Sequence, residues 1–198
     1  MTIEIGQSER TTQNRVVALF CEKLGYRYLG NLQGLANKNI READLLAWLA
    51  KRGVSDMLAQ SALKSLQSLN HLGGGRRLYD ANSDIYQLLR YGAKVKTGVS
   101  EQTQTVWLVD WENPQNNDFA LAEEVSIQGS QFDKRPDVVL YLNGIAVAVL
   151  ELKRSSVSVS EGIRQNIANQ QREFCEAFFT TVQLLFAGND SEGLRYGV

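Results

Sequence analysis

A single histidine, His71, stands in 198 residues. That excludes a multi-histidine zinc site and speaks against any histidine-centred triad. Cysteine is nearly as scarce. Cys21 and Cys175 are far apart and each lies beside apolar residues, so they read as two buried, reduced thiols of a cytoplasmic protein. No apolar run approaches the roughly 20 residues that a bilayer span takes, and no secretory signal opens the chain. A cytoplasmic protein without membrane contact is expected. A surplus of charge is missing too: the net charge of −1 argues against binding nucleic acid by bulk electrostatics. Any enzyme chemistry must fall to carboxylates and lysine.

What is present suits one globular α/β domain with a small helical insertion. Hydrophobic residues make up 43% and aromatics 9%, ordinary values that exclude a largely disordered chain. Charge is unevenly placed. Residues 1–100 carry 14 Lys/Arg against 8 Asp/Glu, and residues 101–198 carry 7 against 14. The first half can approach phosphates; the second is rich in carboxylates.

Periodicity divides the chain in the same place. A helix is expected over Ser8–Leu24, capped by Ser8, with Val16, Val17, Leu19 and Phe20 as its apolar stripe. Residues 39–70 read as two helices broken at Gly53, the second capped by Ser55, and another helix spans Ala81–Tyr91. After Gly92 the period shortens. Thr105–Trp111 and Phe119–Ile127 read as strands. Ser158–Phe178 reads as a helix opened by the capping box Ser158-Val-Ser-Glu161, and Thr180–Ala187 as a last strand. Residues 39–75 thus form a helical subregion, and 92–198 the core of a single domain covering 1–198.

The most informative segment is RPDVVLYLNGIAVAVLELKRS. Asn143-Gly144 joins two apolar runs, expected at 137–142 and 145–153, as a hairpin. Both strands are apolar on both faces, which calls for helices on both sides of a mixed sheet: an α/β/α sandwich. Asp137 lies at the open end of one strand, Glu151 and Lys153 at the open end of the other. Two carboxylates are hard ligands for Mg²⁺, and a neighbouring lysine can orient or deprotonate the attacking water. Glu151 and Lys153, two apart, share a strand face, and the Leu152 carbonyl between them is a further candidate ligand. This is the donor set of a metal-dependent nuclease. It carries a condition, because a two-residue turn pairing Leu142 with Ile145 puts Asp137 opposite Leu150, on the wrong face for Glu151. A bulge, a longer turn or a kink near Pro136-Asp137 is required.

These residues resemble the PD-(D/E)xK nuclease superfamily, and specifically the restriction-endonuclease-like N-terminal domain of the restriction (motor) subunit of type I restriction-modification enzymes. The resemblance runs through SERTTQNRVVALF, LLRYGAKVKTG, TVWLVDWENPQNNDFA, the hairpin, SVSEGIRQNIANQ, FFTTVQLLFAGND and EGLRYG. It implies that Asp137 and Glu151 bind Mg²⁺ and that Lys153 is catalytic. It also implies that Gln165, matching the glutamine of the family's Gln-x-x-x-Tyr element, joins them, with Asn169 at the tyrosine position. Glu161, Gln165 and Asn169 are expected on one helical face, opposite Ile163 and Ile167. Glu9 matches a first-helix glutamate placed near the metal in many superfamily members; a helix-dipole role is the alternative. Tyr91, Lys94, Lys96 and Arg154 are candidate contacts to DNA.

The family's subunit continues into ATP-driven motor domains, for which ATP is the cofactor. No GxxxxGK[ST] motif occurs here, so an isolated nuclease domain is expected. Its implied partners are double-stranded DNA and the methyltransferase and specificity subunits, and its own cleavage is expected to be weak or absent. Two alternatives remain: a stand-alone repair- or recombination-type nuclease, and a degenerate nuclease fold that docks on DNA or on other subunits.

Overall fold

The computed structural model describes residues 8–96, 98 and 102–197. Ser8 is extended and its hydroxyl accepts the Thr11 N–H at 3.2 Å, capping α1 (Glu9–Ala18) as expected. The helix continues into a π-helical turn, Leu19–Lys23, whose wider winding rotates the side chains that follow. Val16, Val17 and Phe20 pack on the sheet, whereas Leu19, expected in the same stripe, is exposed.

The sheet has six strands. In spatial order they are β1 (Arg27–Asn31), β4 (Phe119–Glu123), β5 (Val138–Leu142), β6 (Ile145–Leu152), β7 (Leu184–Asn189) and β8 (Gly193–Gly197). β1 runs parallel to β4 and β6 parallel to β7, while the other neighbours are antiparallel. The sheet is therefore mixed. Its two edges, β1 and β8, were not among the expected strands, since neither has an apolar run and β8 is exposed at every residue. One face packs on Val16, Val17, Phe20 and Tyr26, the other on Cys175, Phe178, Phe179 and Val182. α5 (Val159–Asn169) lies against β6 and β7. Helical layers on both sides give the α/β/α architecture that the doubly apolar hairpin demanded. Cys175 is buried; Cys21, expected to be, is only half-buried.

A second core gathers α2 (Glu42–Lys51), α3 (Asp56–Leu69) and α4 (Leu78–Tyr91) with the short pair β2 (Ala93–Val95) and β3 (Gln104–Val106). Gly53 ends α2 with φ +76°. Ser55 adopts the extended N-cap backbone of α3 but makes no side-chain capping bond. α4 starts at Leu78, three residues before Ala81, where the Asp80 carboxylate takes the Arg77 N–H. This helical portion seats on the hairpin turn. Ile145 belongs to its core, and the Arg41 N–H bonds the Gly144 carbonyl at 2.7 Å. Gly144 has φ +83°, and a Cβ there would stand 2.7 Å from the Arg41 carbonyl, so the position admits only glycine.

Four other expected elements are shorter. Strand pairing stops at Val106 instead of Trp111 because polar side chains capture the next backbone groups. Asn117 accepts the Asp110 N–H, and Asp110 accepts the Asn113 N–H, each at 2.9 Å. β4 ends at Glu123, since Glu124 turns left-handed at φ 49° and its N–H bonds the Asp137 carbonyl. The helix from Ser158 ends at Asn169, with a separate 3-10 turn, Glu176–Thr180, and the final strand starts later, at Leu184. No helix among the described residues is long and apolar enough to cross a membrane.

Candidate active site

The pairing of β5 with β6 begins as the turn dictates, with Leu142 opposite Ile145 and Tyr141 opposite Ala146. The register then shifts: Leu140 pairs with Ala148, Val139 with Val149 and Val138 with Leu150. Val147 is the extra residue, a β-bulge, and its carbonyl accepts the Gln183 N–H at 2.8 Å. The burial clusters record the consequence, for Ala146 and Val149 now share one side of the sheet and Ala148 and Leu150 the other. Extending the shifted register brings Asp137 opposite Glu151 on the same face. The required irregularity exists, but mid-strand at Val147, not at Pro136-Asp137 as expected.

Asp137, 8% exposed, accepts the Leu152 N–H on its Oδ2 at 2.6 Å. The Leu152 carbonyl leaves the strand on the same edge as that N–H, toward Asp137. Glu151 is fully buried. Gln165 Nε2 donates to its Oε2 at 2.7 Å and Asn169 Nδ2 to its Oε1 at 3.2 Å. The two amides lie one helical turn apart on α5, whose approach depends on Gly162: a Cβ there would come within 3.1 Å of the Ala187 Cβ. Lys153 follows on the Glu151 face, half-buried, with its backbone N–H on the Gly188 carbonyl at 2.9 Å.

Burial pushes the Glu151 carboxyl well above the usual carboxylate range, and the neighbouring Asp137 charge adds to the rise. Burial raises Asp137 too, opposed by the Leu152 N–H and the Lys153 charge. Among the described residues neither carboxylate has an ion-pair partner within 4.0 Å, although twelve ion pairs form elsewhere. Two buried acids side by side without a cation are an incomplete electrostatic arrangement: they need a proton or a metal. The available donors, two carboxylates and a carbonyl, are hard oxygens that fit Mg²⁺. No three His, Cys, Asp or Glu side chains among the described residues converge as an ion-binding group. Glu9, half-buried in the first turn of α1, lies near enough for its charge to raise both Asp137 and Glu151.

The remaining candidates divide. Arg154 is exposed, immediately after Lys153. Lys94 and Lys96 are exposed on and beside β2, in the helical portion that covers the hairpin turn, at the other end of β6 from Glu151. Tyr91 is exposed there as well. Glu161 does not share the site-facing edge; it turns outward to pair with exposed Arg164. Ile163 and Ile167 are also solvent-facing, 40% and 57% exposed, because the polar face of α5 is the inward one. Sequence reasoning put Asn169 on the edge of Gln165 without giving it Glu151 as partner, and missed a buried glutamine on α1, Gln13, which reaches the Asp137 carbonyl. Spacing carried a signal for the first, since Gln165 and Asn169 lie four apart; nothing marked the second. A cleft of about 720 Å³ opens in the helical portion among Trp48, Arg90, Trp107 and Trp111. Its buried acid, Asp110, is already held by Asn113, Asn116 and Arg52.

Comparison with known proteins points the same way. Residues 6–198 match the family model described as type I restriction enzyme R protein N terminus. The type I restriction enzyme HindI endonuclease subunit of Haemophilus influenzae is 30% identical over 144 residues, covering 70% of this chain and 14% of that protein. A Methanocaldococcus jannaschii protein, provisionally named the type I restriction enzyme MjaIXP endonuclease subunit, is 26% identical over 148 residues, 67% of this chain and 14% of its own. The chain thus spans about 14% of the length of these relatives. The matched range includes α1, the bulged hairpin and α5, and the chain belongs to the family of type I restriction enzyme R protein N-terminal regions.

Proposed function

We propose that this chain is the Mg²⁺-dependent endodeoxyribonuclease domain of a type I restriction enzyme R subunit. On this reading it hydrolyses phosphodiester bonds of double-stranded DNA after ATP-driven translocation by other domains. The observation that carries the reading is the bulge at Val147, which turns Asp137 to the face of Glu151 and Lys153. A decayed docking domain has no need of two buried, unpaired carboxylates at that cost in solvation.

Asp137 and Glu151, with the Leu152 carbonyl, would hold the ion, which supplies charge neutralisation at the phosphate and an acidified water. The chain's own residues do the rest. Leu152 N–H and the amides of Gln165 and Asn169 fix the two carboxylates before substrate arrives. Lys153, on the same face, orients the attacking water or accepts its proton. Arg154, exposed just after Lys153, would meet a phosphate of the cut strand. The methyltransferase and specificity subunits would supply the recognition site.

Asp137→Ala, Glu151→Ala and Lys153→Ala variants of the complete R subunit, reassembled with its partner subunits, test the reading. ATP-driven translocation should persist while cleavage falls by roughly 10²-fold or more, the scale of a lost acid–base group. Unchanged cleavage in all three would reject it. Robust ATP-independent cutting by the 198-residue chain would point to a stand-alone nuclease instead.

A further inference from the structure

Gln13 is 2% exposed, and its side-chain nitrogen lies 2.7 Å from Glu123 Oε2, 3.2 Å from Glu124 Oε1 and 3.4 Å from the Asp137 carbonyl. One NH₂ group has two protons, so these three acceptors compete for two donors. Glu123 is itself buried and held from two other sides, by the Tyr28 hydroxyl at 2.6 Å and Arg10 at 3.2 Å. Glu124 N–H bonds the same Asp137 carbonyl at 2.9 Å. A hydrogen-bonded lattice from α1, β1 and the end of β4 thus closes on the backbone of a candidate metal ligand.

Glu9 lies four residues before Gln13, on the same face of α1. The apolar contacts of α1 come from its later residues, Val16 and Val17. Its earlier part is tied down by polar bonds: those of Gln13, the Arg10 ion pairs to Glu123 and Glu124, and one from Thr12 to Asp190 at 3.3 Å. Of these anchors Gln13 is the one that reaches the Asp137 backbone, so its amide ties the start of α1 to Asp137. We propose that Gln13 is a positioning residue: gripping Glu123 and the Asp137 carbonyl, it holds the first turn of α1, and Glu9 with it, against the Asp137–Glu151 pair. The proposal rests on the metal-nuclease reading above.

The test is calorimetric titration of the chain with Mn²⁺ alone, for the wild type, Gln13→Met, Glu9→Gln and the double variant. Gln13→Met keeps the volume and removes the donors. It should weaken Mn²⁺ binding roughly tenfold, as loss of a supporting contact does. Once Glu9→Gln is present, Gln13→Met should have little further effect, because Gln13 acts through Glu9. Independent, multiplying losses would mean that Gln13 is merely structural, and wild-type affinity in Gln13→Met would also overturn the proposal. If Gln13→Met does not fold, Glu123→Gln removes the charged acceptor that Gln13 grips, and the same dependence on Glu9 is expected. Asp137→Asn separates the two levels. Unaltered binding in that variant defeats the metal reading itself. Binding lost there but kept in Gln13→Met defeats only the positioning role.

Discussion

At the scale of single residues, the site is two acids that cannot comfortably be charged together, held by amides that cannot be charged at all. Gln165 is the stronger of the two anchors on Glu151, with the shorter bond. Removing it with Gln165→Ala should weaken divalent-ion binding and cleavage by about 10–100-fold while translocation by the full subunit continues. Equal ion affinity in the variant and the wild type would contradict the anchoring role. Asn169 leaves its Oδ1 buried and unbonded. That orphan lets it turn over and accept from a neutral partner, so Glu151→Gln can be accommodated. Both Asp137 and Glu151 have folded-state pKa values raised above their unfolded ones. The folded protein therefore retains protons that the unfolded chain gives up. The ion-free protein should lose stability as pH rises from the ordinary carboxylate range, about 4, through the raised values. Mg²⁺ should reverse this, stabilising most at high pH and releasing protons as it binds. At neutral pH the ion-free Glu151→Gln variant should melt roughly 2–4 °C above the wild type, the shift expected of about 1 kcal/mol at this chain length. It should also lose the response to Mg²⁺. A wild-type melting curve that rises over this window without ion, or a variant that still responds to ion, would contradict the electrostatic account.

At the scale of elements, one inserted residue decides the chemistry. Without the bulge at Val147, alternation along β6 returns Asp137 and Glu151 to opposite faces, the arrangement that the Asn143-Gly144 turn alone implies. Deleting Val147 should therefore abolish ion binding and lower the melting temperature sharply, since every residue beyond it changes side. Val147→Ala keeps the residue count and should keep ion binding. Comparable ion affinity in the deletion and the substitution would show that the register is not what joins the acids. This is also where the sequence was least legible. Apolar runs, the turn and the terminal acids could be read directly, and they placed β5, β6 and the acids within a residue or so. The bulge could not be located, because Ile145–Leu150 is apolar at every position and offers no alternation to betray a slip. On α5, by contrast, two isoleucines in a largely polar helix pointed to the wrong face. Ile163 and Ile167 suggested a buried stripe, yet Glu151 recruits the polar edge instead. Strand ends at Val106 and Glu123 were lost to side-chain capture and a left-handed residue, neither of which has a periodic signature.

At the scale of the molecule, the acids and the helical portion occupy opposite ends of the central hairpin. The acids lie at the open end of β5 and β6; α2, α3 and α4 clamp the turn. Gly144→Ala should therefore destabilise by acting on the clamp, through its strained backbone and its close approach to Arg41. Divalent-ion affinity of the folded fraction should stay near wild type. A loss of affinity that exceeds the loss of folded protein would show that the two ends are coupled. The chain covers about 14% of its relatives' length, and its near-neutral charge gives it little hold on DNA by itself. Plasmid cleavage by the 198-residue chain with Mg²⁺ should accordingly be weak, and strong only in the assembled complex with ATP. The account stands or falls on whether Asp137 and Glu151 share an ion. Anomalous diffraction at the manganese edge from crystals of the Mn²⁺-loaded protein tests this most directly. A single strong peak within about 2.0–2.6 Å of oxygens from both side chains is predicted; a peak elsewhere, or none at saturating Mn²⁺, would contradict it.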